Sequence, residues 1–334
     1  MKKIIFGAIA SLLAVFNIQS ADITINGGGA SFPAPVYQVW TYSYNQITPN
    51  TRINYQSLGS GAGINQVKAG TIDFGGTDNP LTKEQQEEAG LIQFPMLTGG
   101  VVPIVNIPRI QPNQLKLDGE TLANIFLGKI TKWNDPAIQE LNPKLKLPNM
   151  KITVVHRSDS SGTTYIFTDY LSKVSSEWKD KVGTGSAVEW PTGLGGQKNP
   201  GVCNNVFKVR GSIGYTEYTY AVEAKLNCVT LKNKSGQFVA PNMESFSASA
   251  ANADWKNAPG LYMMLTDMEG ENSWPITGVT YILVKKDFKD ADKKDAMYKY
   301  FNWCLTKGNT SASKLNYVPL PENLVEFLQT EILK

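Results

Sequence analysis

The chain has 334 residues, of which 42% are hydrophobic and 18% charged, with a formal net charge of +3 and one histidine. This is the balance of an ordinary globular protein, long enough for two domains of about 150 residues each. It excludes a nucleic-acid partner, which needs a concentrated basic face, and three scattered cysteines beside a lone histidine exclude a zinc site.

At the start, Lys2 and Lys3 precede an apolar run over 4–18, and Ser20 before Ala21 is a small residue suited to cleavage. Residues 1–20 therefore read as a secretory signal peptide. The run is too short for a comfortable bilayer span. The first cysteine is Cys203, so no lipid attachment site follows the cleavage point, and the expected mature protein is exported, soluble and unanchored.

Next come strand, turn and helix units that resemble one another. The first is a strand over 23–26, then Gly27 to Gly29, Ala30, Ser31, Phe32 and Pro33, then Val36, Val39, Trp40 and Tyr44 at helical spacing. The second is a strand over 52–57, then Gly59, Ser60, Gly61, Ala62 and Gly63, then Ile64 and Val67 on one helical face with a stop at Gly70. A strand over 71–75 follows, with Asp78 just after it in IDFGGTDNPLT (72–82). The last unit is a β-branched strand over 152–155 that leads through His156, Arg157, Asp159, Ser160, Ser161, Gly162, Thr163 and Thr164 into a helix carrying Tyr165, Ile166, Phe167, Tyr170 and Leu171. A single glycine-rich turn marks only a tight connection. Three turns that carry Ser or Thr at a helix start offer hydroxyls and free amides at positive helix ends, and their convergence would build an oxyanion pocket.

Helical and strand patterns alternate along most of the chain, which predicts an α/β protein with mainly parallel sheets flanked by helices. Two apolar, strand-like segments near 99–106 and 273–284 are the expected crossovers. The first domain is then discontinuous, 21–98 with 277–334, and the second is 99–276. With three cysteines in an exported chain, the simplest arithmetic pairs Cys203 with Cys228 and leaves Cys304 in a buried helix. Trp190 and Trp274 are expected in turns and core, and Glu84, Glu87 and Glu88 on a solvated helix face.

Asp78 carries the selectivity argument. Phosphate at neutral pH keeps at least one proton, so a dehydrated pocket that holds it needs one acceptor among many donors. Sulphate has no proton and would leave that acceptor unpaired, at more than the roughly 1–3 kcal/mol of a neutral unpaired group. One Asp in a donor-rich pocket thus favours phosphate, or arsenate, over sulphate.

The motifs GGGASFPAPVYQVW (27–40), GSGAG (59–63), DFGGTDNPLT (73–82), FPMLTGGVVPIVNIP (94–108), LDGETLANIFLGKITKWNDPAI (117–138), RSDSSGTTYIFTDYL (157–171), WPTGLGG (190–196), GSIGYTEYTYA (211–221) and WPIT (274–277) run through essentially all of the chain after the leader. Through them the chain closely resembles the periplasmic phosphate-binding proteins of the high-affinity phosphate ABC transporter, the PstS family. The resemblance implies a two-domain, type II-like periplasmic binding protein with its ligand in the cleft. It is expected to be a monomer without cofactor or metal, handing phosphate to membrane permease subunits and their ATPase. Carried over by position, it implies that Ser31 and Ser60 give hydroxyl and amide, Phe32 its amide, and Asp78 the proton acceptor. Arg157 would be the sole guanidinium at the anion, held by Asp159, with Ser161, Gly162 and Thr163 as amide and hydroxyl donors. Ser31 stands where Thr is common, Ser160 where Gly is common, and His156 where a second basic residue is common. The alternatives are a receptor for another tetrahedral oxyanion such as sulphate or arsenate, or a secreted serine hydrolase using Ser60 or Ser161 with His156 as base.

Overall fold

The computed structural model describes residues 23–334, and the leader expected at 1–20 lies outside the described residues. In chain order the elements run β1 (Ile23–Gly29), α1 (Ala34–Ile47), β2 (Thr51–Ser57), α2 (Ser60–Ala69), β3 (Phe74–Thr77), α3 (Lys83–Ala89) and β4 (Leu91–Val105). Then come β5 (Lys116–Leu117), α4 (Gly119–Phe126), α5 (Pro136–Leu141), β6 (Thr153–Arg157), α6 (Gly162–Val174), α7 (Ser176–Lys181), β7 (Leu194–Gly196), α8 (Lys198–Lys208), β8 (Ser212–Glu217) and α9 (Tyr218–Glu223). The remainder is β9 (Asn227–Cys228), β10 (Thr230–Lys232), β11 (Phe238–Val239), α10 (Met243–Ala250), β12 (Leu265–Thr266), β13 (Ile276–Lys285), α11 (Ala291–Thr306), α12 (Asn309–Lys314), β14 (Val318–Pro319) and α13 (Glu322–Glu331).

Among the described residues the main sheet follows the order β2-β1-β3-β13-β4-β8-β6-β7. β2, β1 and β3 are parallel, as are β8, β6 and β7, so each flank is a strand-turn-helix array whose turns open at one end of the strands. Between the flanks run β13 and β4, antiparallel to each other and to their outer neighbours. β4 pairs with β13 from Leu91 to Gly100 and with β8 from Val101 to Val105, so the chain changes partner at the Gly99-Gly100 step. The predicted crossover segment 99–106 is thus the second part of β4, and 273–284 takes in nearly all of β13. All fifteen residues of β4 except Ile92 are buried, as expected of a strand covered on both faces.

Local chemistry sets the helix starts that matter. Pro33 and Pro35 suit the first turn of α1. α2 ends at Gly70 in the left-handed region (φ 71°), whose amide returns to Gln66 and Val67 carbonyls. α6 is capped by Ser161, whose hydroxyl accepts from the Thr164 amide at 3.1 Å. Several strand boundaries move from their expected places: β1, expected over 23–26, runs on through Gly29 by pairing with β2 as far as Ser57. The chain at 71–73 leaves the αL cap as a turn, with the Asp73 carboxylate taking the Asn26 amide at 2.7 Å and Lys293 at 2.7 Å, so β3 begins only at Phe74. β6 runs on to Arg157, which fixes that side chain on a rigid strand end.

The predicted Cys203–Cys228 disulfide is not formed: both are free, buried thiols, and so is Cys304. Helix α8 holds Cys203 so that its thiol donates to the Thr216 hydroxyl at 3.5 Å, while β9 holds Cys228 opposite Ile104 of β4. The return of the chain brings the two thiols near each other, but each is oriented by its own element. Burial pushes Cys203 up to about 11 and Cys228 to about 12, so neither is a ready thiolate. Trp274 is fully buried, donating to the Val101 carbonyl at 2.9 Å, and Trp190 stacks on His156 at 4.8 Å. Both behave as packing residues.

Candidate functional site

The turns β1–α1 and β2–α2, with Asp78 at the end of β3, face the turn β6–α6 and the start of α8 across the sheet. The two sides touch through polar bonds. Gly162 donates its amide to the Ser60 hydroxyl at 3.1 Å, and Gly61 donates its amide to the Ser160 carbonyl at 3.2 Å. Close approach demands glycine here. A Cβ on Gly162 would lie 2.6 Å from Asp78 and from the Ser60 hydroxyl, and one on Gly61 would lie 2.3 Å from the Ser160 hydroxyl.

Ser31, Phe32, Ser60 and Thr163 are each at most 2% exposed, yet their amides meet no acceptor among the described residues. Buried amides are almost always paired, so four free ones from two sides of a cleft define a site that supplies hydrogen bonds outward. Their turns are pinned by their carbonyls: Tyr220 donates to Ser31 and Tyr317 to Phe32, both at 2.7 Å. Tyr317 also reaches Glu217 at 3.0 Å; burial pushes that carboxyl up to about 8, so at neutral pH it is protonated and needs no cation. Ser161 is brought to the same place with its hydroxyl capping α6, but its amide is taken by the Ser186 carbonyl at 2.8 Å, leaving the hydroxyl proton as its outward donor.

Two carboxyls flank these donors. Asp159 accepts from Arg157 Nε at 2.8 Å and Nη2 at 2.6 Å, and from the Lys198 amide at 2.9 Å. Burial alone would raise it, but these bonds and the guanidinium charge hold it below the usual carboxylate range. Asp78 is 1% exposed and has no cation in contact; it accepts from the Thr280 hydroxyl at 2.9 Å. Burial pushes its pKa up to about 7, against the Thr280 bond and the more distant field of Arg157.

His156 does not join a hydrolytic constellation. Its Nδ1 bonds the Arg157 carbonyl at 3.0 Å, its ring stacks on Trp190, and among the described residues it meets no serine or acid. Desolvation lowers its pKa, and the backbone bond only partly restores it.

A family model described as PBP superfamily domain matches residues 17–307. A curated relative, the phosphate-binding protein PstS of Xylella fastidiosa strain Temecula1, is 51% identical over 311 residues, covering 93% of this chain and 85% of its own. The chain belongs to the PstS family. Among solved structures, the high affinity periplasmic phosphate-binding protein PfluDING, bound with phosphate, aligns with a TM-score of 0.73 at 20% identity over 93% of this chain and 94% of its own. The ABC-type phosphate transport receptor from Vibrio cholerae aligns with a TM-score of 0.57 at 21% identity over 89% and 100%. At such identities the likeness is one of fold, the two-domain periplasmic binding protein fold in which β4 and β13 are the strands passing between the flanks.

The PstS motifs read from sequence missed two contributors. Thr280, which donates to Asp78, is a fully buried hydroxyl inside the apolar strand β13, and a polar residue in such a strand is the signal that marks it. Asn199 is 0% exposed and touches Ser31, Arg157 and Thr163, but lies three residues beyond the WPTGLGG motif, in the first turn of α8, and the short β7–α8 turn carries no Ser or Thr to mark it.

Proposed function

We propose that this chain is an extracytoplasmic receptor that encloses one inorganic phosphate ion in the cleft and delivers it to an ABC-type importer. The observation that carries the reading is the set of unpartnered, buried amides at Ser31, Phe32, Ser60 and Thr163, with a carboxyl that has hydroxyl partners but no cation, Asp78, beside them. In this reading Ser31, Phe32, Ser60 and Asp78 serve from one side, and Arg157, Ser161, Gly162 and Thr163 from the other, the Gly162 amide being shared with the Ser60 hydroxyl it meets at 3.1 Å. The donors take the unprotonated oxygens, and Asp78 shares the ligand's proton. Asp159 keeps the guanidinium in place without touching the ion. The 51% identical PstS relative supports the same ligand.

In the same reading the first domain is 21–98 with 277–334 and the second is 99–276; the change of partner along β4, from β13 to β8, supports a hinge there. Bound phosphate bridges the sides and favours the closed state. The receptor acts as a periplasmic monomer released from its leader, meets permease subunits coupled to an ATPase, and performs no catalysis. No helix of the described residues is long and apolar enough to cross a membrane.

The test is a ligand panel on protein stripped of phosphate, followed by calorimetry and Trp fluorescence. Phosphate and arsenate should bind and sulphate should not. Absence of phosphate heat, or equal binding of sulphate, would overturn the proposal, and turnover of ester substrates abolished by His156→Ala would replace it with a hydrolase.

A further inference from the structure

We propose that Asn199 is a positioning residue that sets the direction of the hydroxyl protons on both sides of the cleft, so that Ser31 and Thr163 can only donate to the ligand. The inference rests on the phosphate-receptor reading and deepens it.

Its basis is a chain of groups whose polarity is fixed from one end. Asp159 can only accept, and it holds Arg157 through Nε and Nη2. The guanidinium can only donate, and its Nη1 lies 3.4 Å from Asn199 Oδ1. The amide oxygen therefore faces Arg157, where the Thr216 hydroxyl also donates to it at 3.3 Å. This settles which way the amide points. Asn199 Nδ2 then faces Ser31 Oγ at 3.2 Å and Thr163 Oγ1 at 3.4 Å, and the Asn199 backbone amide reaches Ser31 Oγ at 3.4 Å.

A hydroxyl that receives an N–H cannot send its own proton back along that bond. The protons of Ser31 and Thr163 are consequently turned away from Asn199, into the space shared with the free amides. Ser60 obeys the same rule through another pair of donors, the amides of Asp78 at 3.2 Å and Gly162 at 3.1 Å, and Ser161 through the Thr164 amide. Every site hydroxyl is thereby biased to donate, and Asp78 is left as the one acceptor. Asn199 is the side chain that does this for two hydroxyls at once, one from each side, and it ties their setting to the charge of Arg157. A ligand presenting a proton at Ser31 or Thr163 would meet a donor. The arrangement thus restricts where the proton of bound phosphate can sit.

The experiment is a double-mutant cycle on phosphate affinity with stripped protein: wild type, Asn199→Ala, Thr163→Val and the double variant, by calorimetry. Each single change is expected to weaken binding about 10- to 100-fold, and the double variant to be within about threefold of the weaker single, because both break the same donor. Multiplying effects would overturn the proposal, since a residue that merely supports α8 weakens binding equally with or without the Thr163 hydroxyl. Should Asn199→Ala not fold, Asn199→Asp keeps the volume and replaces the donor by an acceptor that captures both hydroxyl protons. Its loss should exceed that of Thr163→Val and shrink in the Thr163→Val background; an unchanged loss there overturns the proposal. Wild-type protein that binds phosphate while the cycle is additive sinks only this inference, whereas wild-type protein that binds none sinks the receptor reading and this one with it.

Discussion

The two carboxyls that flank the cleft donors, half-buried Asp159 and buried Asp78, differ in a way that divides the labour of the site. Asp159 takes two bonds from Arg157, is held below the usual range and stays a carboxylate. Asp78 has a hydroxyl partner in Thr280 and no cation in contact, and burial lifts it to about 7. The same side chain is therefore a fixed counter-ion on the β6 side and a proton acceptor on the β3 side, decided entirely by neighbours. The Arg157–Asp159 pair is nearly neutral as a unit, so the donors that remain for an anion are peptide dipoles and hydroxyls. Selection by protonation then rests on Asp78 alone.

The largest break in this contrast is Arg157→Ala. It removes the guanidinium and strands Asp159, whose side chain is 16% exposed, beside an apolar strand end. Loss of one partner of a buried pair costs about 3–5 kcal/mol. Denaturant unfolding should show that loss, and every oxyanion should bind far more weakly, without any change in preference among them. Retained phosphate affinity would show that the guanidinium has no part in holding the anion.

Gly162→Ala tests the meeting of the two sides rather than their charges. The added methyl would sit 2.6 Å from Asp78 and the Ser60 hydroxyl, so the sides cannot approach as they do here. The overpacking costs about 1–3 kcal/mol, and it falls on the closed state. Phosphate affinity should drop about 10- to 100-fold while the melting temperature of the ligand-free protein changes little. Equal losses in both would mean that the contact is made in the open form too.

Asp78→Asn sharpens the comparison by removing only the acceptor. Phosphate should weaken about 10- to 100-fold while sulphate gains, because the amide can donate where the ionised carboxylate only accepts. The same variant reports on pH. Asp78 and Glu217 both have folded values above their unfolded ones, so their stability contribution is present at about pH 4 and is lost as pH rises through about 7 and 8. Asp159 works the other way only below its ordinary range, outside this window, and His156, lowered by desolvation, offsets part of the fall near its ordinary value. Ligand-free protein should melt on the order of 5 °C lower at pH 8 than at pH 5, and Asp78→Asn should flatten the fall, as differential scanning calorimetry would record.

Much of this was legible in the chain because the relevant information is local. A β-branched strand, a Ser-bearing glycine turn and a helical stripe sit within about twenty residues of one another in each unit, and period and turn chemistry reveal them. The α/β class and the ligand-facing turns come from such units, and the choice of eight candidate ligand residues in and beside them is what the resemblance to the PstS family implies. The roles of Asn199 and Thr280 do not follow from local pattern, because they come from contacts with residues 168 and 202 positions away; only a hydroxyl inside the apolar strand β13 hints at Thr280. The expected disulfide failed for a related reason: element order can bring two cysteines near each other, but bond formation depends on side-chain direction, which α8 and β9 set separately. The shifted start of β3 depended on Asp73 finding Lys293, a partner in the last helical region of the chain.

The smallest expected effect belongs to Ser160→Gly, which puts at that place the glycine that the family resemblance leads one to expect. Ser160 is exposed and does not have positive φ, so glycine brings no relief of strain. What is lost is the bond between the Ser160 and Ser186 hydroxyls at 3.0 Å, in water, and the side chain that lies over Gly61. What remains is the bond from the Gly61 amide to the Ser160 carbonyl, which belongs to the backbone and joins the two sides. Added freedom in the unfolded chain costs about 0.5–1 kcal/mol, so the melting temperature should fall by a few degrees at most, with phosphate affinity changed less than about threefold. A larger loss of affinity at unchanged stability would place the Ser160 side chain in the closing contact itself, and would make the β6 side a participant in closure through its surface loop as well as through Gly162.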